Sequence, residues 1–90
     1  MGKPSSEELK TALTEAARLR EQGKDDKYLG KALLSMNYCM GFLEDVLDKA
    51  DLYLHSGEGA QEHAELVKAI ECAREALQDP EAGEREIHPW

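Results

Sequence analysis

Ninety residues make one small domain with a thin core, because a chain of this size buries only roughly 60–65% of the surface it exposes when unfolded. Its formal net charge of −8, from 19 acidic against 11 basic residues, excludes nucleic acid and anionic membrane as natural partners. The basic residues are scattered among acids with no local cluster, and no uninterrupted apolar span is long enough to cross a bilayer, so a cytoplasmic protein is expected.

Helical signals start at Ser5 or Ser6. Ser5 and Glu8 have the spacing of a capping box, in which each side chain satisfies the other's backbone amide. Leu9, Ala12, Leu13, Ala16, Ala17 and Leu19 then form one apolar stripe. Gly23 ends the helix as a residue able to take positive φ.

Asp25 and Asp26 offer an N-cap for a second helix and place negative charge at its positive end. From Asp26 to His55 the pattern is that of one long helix. At about 100° per residue, Leu29, Ala32, Leu33, Met36, Met40, Leu43, Leu47, Ala50 and Leu54 share a stripe. A second row, Tyr28, Cys39, Phe42, Val46 and Tyr53, lies beside it. That is apolar surface for two neighbours, which predicts the central helix of a bundle with the main stripe buried. Gly30 and Gly41 are its expected weak points, each costing up to about 1 kcal/mol relative to alanine.

The turn Ser56-Gly57-Glu58-Gly59 leads to a third helix from Glu58 or Ala60, with Ala64, Leu66, Val67, Ile70, Ala73 and Leu77 facing inward. Pro80 ends it and restricts Asp79 before it. Short loops favour antiparallel neighbours, so the expectation is an all-α, up-down-up three-helix bundle over residues 1–80 with a long central helix. Residues 81–90, ending in Trp90, are expected to form a flexible polar tail. Cys39 and Cys72 fall on or beside apolar faces and are expected to be reduced, buried and unreactive.

Three groups of residues invite a functional reading. Leu34, Tyr38 and Leu52 lie about 100° or more from the main stripe, bordered by Gly30, Asn37 and Gly41. Apolar residues on a side expected to face water predict a protein contact surface, here for a homodimer. The blander alternative is that the flanking helices wrap far enough to cover them. Glu44, Asp48, Asp51 and His55 form an acidic row whose donors could ligate a divalent metal. Di-metal bundles use paired Glu-x-x-His motifs, and none occurs here, so a solvated acidic face is expected and no cofactor.

His63, with Lys68 five residues on, invites comparison with histidine phosphotransfer domains. Those domains have a four-helix core with a Lys close behind the histidine and then Gly, a pattern from which residues 63–68 depart. No nucleophile elbow, phosphate-binding glycine loop, Cys-x-x-Cys or His-Glu-x-x-His is present, so no enzyme is expected. The expected function is a small acidic protein–protein interaction module that self-associates. The alternatives are a divalent-metal-binding bundle on the acidic row and a small enzyme or phosphorelay element centred on His63.

Overall fold

The Ser5–Glu8 pair starts the first helix as its spacing predicts. In the computed structural model, which describes residues 2–83, Ser5 Oγ accepts from the Glu8 amide at 3.1 Å and Glu8 Oε1 accepts from the Ser5 amide at 2.8 Å. This helix, α1, runs Ser6–Glu21 and is followed by α2, Leu29–His55, and α3, Ala60–Gln78. Gly23 and Gly57 take the left-handed conformation at the two breaks, with φ of 66° and 88°. Gln78 is the last helical residue before Asp79-Pro80. No helix among the described residues is long and apolar enough to cross a membrane.

The second helix starts later than its apolar pattern implies. Tyr28 is left-handed, with φ 61°, so the helix opens at Leu29. Asp25 does the capping from five residues back: Oδ1 accepts from the Gly30 amide at 2.8 Å and Oδ2 from the Lys31 amide at 2.9 Å. Arg20 Nη1 lies 3.4 Å from the same Oδ2, and the Asp25 side chain is only 4% exposed. The Gly30 amide bond holds the Asp25 carboxyl below its ordinary range, burial opposes this, and Lys31 and Arg20 add to the lowering. A carboxylate whose folded pKa is depressed stabilises the fold above its unfolded pKa of about 3.9, and that contribution is lost as pH falls through the folded value. Asp25→Asn is therefore expected to lower the thermal midpoint at pH 7 and to flatten the loss of stability on acidification. Circular dichroism melts between neutral and acid pH check this; an unchanged acid slope would assign it to other carboxylates.

Packing follows from small residues at the crossing points. α1 meets α2 where Gly30 faces Ala16: a Cβ at Gly30 would lie 2.8 Å from the Ala16 carbonyl oxygen. α3 lies antiparallel along α2, with Cys39 Sγ donating to the Ala76 carbonyl at 3.5 Å near one end and the Tyr53 and His63 rings edge-on at 5.6 Å near the other. Ala69, Ala73 and Ala76, spaced to share a face of α3, are buried. After α3 the chain turns back through Ala82, 7% exposed, to Gly83, where a Cβ would meet the Leu34 carbonyl oxygen at 2.6 Å. Of the segment expected to be a tail, then, Ala82 and Gly83 are buried; residues 84–90, Trp90 included, lie outside the described residues.

α2 packs against both neighbours, and α1 and α3 do not meet among the described residues. The result is a three-helix bundle with a long central helix, but its packing corrects one expectation. Around α2, at 100° per residue, the main stripe sits about 115° from the Gly30 side taken by α1 and about 95° from the Cys39–Phe42–Val46–Tyr53 row, which is half-buried on the α3 side. Because the two flanking helices do not close over it, the stripe expected in the core is on the surface. Leu29, Met36, Met40, Leu43, Leu47 and Leu54 are between 45% and 70% exposed. Val67 and Leu77 on α3, also expected inward, are exposed as well, and Tyr28 is 64% exposed.

Candidate functional site

The exposed stripe keeps an unbroken heptad spacing, whereas the covered row, on the same period, is interrupted by Lys49. Leu29, Leu33, Met36, Met40, Leu43, Leu47, Ala50 and Leu54 follow one another at alternating steps of four and three residues. A 4-3 alternation averages 3.5 residues, the period at which a straight apolar seam keeps facing a second helix in a left-handed coiled coil. In heptad terms Leu33, Met40, Leu47 and Leu54 are a positions, and Leu29, Met36, Leu43 and Ala50 are d positions. Leu33 and Ala50 are half-buried; the other six form the exposed surface.

The chain exposes more surface than a closed monomer should. Its accessible area is 7152 Å² at 10.0 kDa, against about 5,200 Å² for a folded monomer of that mass. Its radius of gyration is 15.9 Å, against about 12 Å for a compact domain of this length. Among the described residues the buried apolar side chains are all alanines, Ala16, Ala69, Ala73, Ala76 and Ala82, and no large side chain is fully buried. Leu9, Leu13, Leu19, Leu34 and Leu66 are half-buried between the helices, while six leucines and methionines of α2 are on the open seam.

The residues expected to form a contact face are divided by the fold. Gly30 is buried under α1, Leu34 is half-buried with its carbonyl against Gly83, and Tyr38 is half-buried with its ring 5.0 Å from Phe42, edge to face. Asn37, Gly41 and Leu52 are exposed. These six do not form one continuous open surface, because α1 and the turn after α3 occupy parts of it.

The acidic row is exposed on α2, and its only close pair is His55 with Asp51. His55 Nδ1 lies 3.0 Å from Asp51 Oδ1 and 2.8 Å from the Asp51 carbonyl oxygen. Both neighbours are acceptors, so Nδ1 carries the proton. Among the described residues no three His, Cys, Asp or Glu side chains come together as a metal would need. His63 is exposed beside Tyr53. Cys39 and Cys72 are free and half-buried rather than fully buried. Cys72 lines a shallow groove of about 290 Å³ between α2 and α3, with Asp45, Lys49, Glu65 and Lys68 around it.

The seam was visible in the sequence as spacing, but the same spacing also describes a core-facing stripe, and only the positions of α1 and α3 tell the two apart. Comparison with protein-family models, with curated proteins and with solved structures gave no match.

Proposed function

We propose that this protein is a small acidic helical interaction module that self-associates through the exposed heptad seam of α2. One observation carries the reading: six large apolar side chains of α2 lie on an open helix face at coiled-coil spacing, while the fully buried apolar residues among those described are all alanines. Energetics support it. Fully burying one Leu or Met side chain is favourable by about 1.5–3 kcal/mol. Six such residues from each of two copies, each about half to two-thirds exposed beforehand, contribute on the order of 15 kcal/mol, which meets an association cost of about 4–15 kcal/mol. The net charge of −8 then keeps the assembled surface soluble.

Sedimentation equilibrium of the full chain from low to high micromolar concentration tests the proposal. The expected result is a mass that rises to twice that of the chain across this range. A protein that stays monomeric at high micromolar concentration would overturn self-association.

A further inference from the structure

Resting on that reading, we infer that the two copies pair through antiparallel α2 helices, with the two-fold axis passing between Met40 and Leu43. Reversing the helix about that point maps the seam onto itself, so Met36 faces the second copy's Leu47 and Leu33 faces its Ala50. Each a residue then meets a d residue, and no apolar layer overhangs.

Two features separate this arrangement from a parallel one. The first is side-chain size. A parallel pair places Ala50 against its own copy and leaves a hollow layer, whereas the antiparallel pair fills that layer with Leu33. The second is charge. Between Leu29 and Leu43 the only charged residue of α2 is Lys31, whereas the last half carries Glu44, Asp45, Asp48 and Asp51 against the single Lys49. A parallel pair sets these acidic halves side by side at equal height. The antiparallel pair places Glu44 at the level of the second copy's Cys39, and Asp51 at the level of its Ala32. It also sets the acidic half of each helix beside the positive dipole end of the other.

Disulfide trapping tests the orientation. In full-length protein carrying Cys39→Ala and Cys72→Ala, Met36→Cys and Leu47→Cys are prepared separately and oxidised with excess glutathione disulfide, alone and as an equal mixture. Both positions are exposed, at 70% and 69%, so the fold tolerates the changes. In the antiparallel pair the two copies of position 36 are eleven residues apart along the seam, about 16 Å, too far for a bond that needs Cα atoms about 4.4–6.8 Å apart. The expected result is a band at twice the chain mass in the mixture and none in either protein alone. Crosslinks in the single variants would show a parallel pair and overturn this inference while leaving self-association through the seam intact. A dimer that crosslinks in no sample, or a monomer, would overturn both. A second test leaves the native cysteines in place: Met36→Lys and Leu47→Glu should each be monomeric alone and form a heterodimer when mixed. A parallel pair buries the two charges in different layers, so failure of the mixture to associate counts against the antiparallel register.

Discussion

Leu47→Glu is expected to dissociate the protein into monomers without unfolding it. Leu47 is 69% exposed in the single chain, so a carboxylate there stays hydrated, helical content is kept, and the folding free energy of the monomer changes by about 0.5 kcal/mol or less. In the pair the same carboxylate enters an apolar layer, and the two-fold axis repeats it, so two unpaired charges lose their hydration. At a cost of about 2–3 kcal/mol each, the dissociation constant rises by roughly a thousandfold or more. Light scattering and circular dichroism on one sample read both quantities. Tyr38→Glu is the control, because Tyr38 is half-buried against Phe42 within the chain. It should lower the thermal midpoint while leaving the mass unchanged. If Tyr38→Glu dissociates the protein and Leu47→Glu does not, the contact lies on the Leu34–Tyr38 side.

Replacing the two glycines of α2 by alanine should have opposite effects. At Gly41 a Cβ meets nothing within 4 Å, so Gly41→Ala removes a helix-weakening residue and stabilises by about 0.5–1 kcal/mol. At Gly30 the Cβ would lie 2.8 Å from the Ala16 carbonyl oxygen, a backbone atom that cannot swing aside, and 3.2 Å from Asp25 Oδ2. Gly30→Ala must therefore push α1 away and disturb the carboxylate that caps α2. Forcing a close contact of this kind costs about 1–3 kcal/mol, which outweighs the gain in helix propensity. Urea denaturation of both variants gives the two signs directly. A stabilised Gly30→Ala would mean that α1 does not pack closely at that point.

Local chemistry alone determined the number of helices and most of their ends. Ser5 with Glu8, Gly23, Gly57 and Pro80 each act within a few residues of themselves, so a reader of the sequence meets the whole cause in one place. The start of α2 was already less local, because Asp25 reaches five and six residues ahead to cap Gly30 and Lys31 and leaves Tyr28 outside the helix. The helical period likewise determined which residues share a face, and so grouped the seam, the Cys39–Tyr53 row and the acidic row correctly. Which face is covered was decided only in three dimensions. Two adjacent rows of α2 were both apolar enough to be core, and burial is roughly proportional to apolar area and carries no direction, so it could not choose between them. Close backbone approach made the choice. α1 could settle only where Gly30 let the Ala16 carbonyl in, and α3 lies against α2 on its buried alanines, each on a different side of the leucine and methionine seam that remains open.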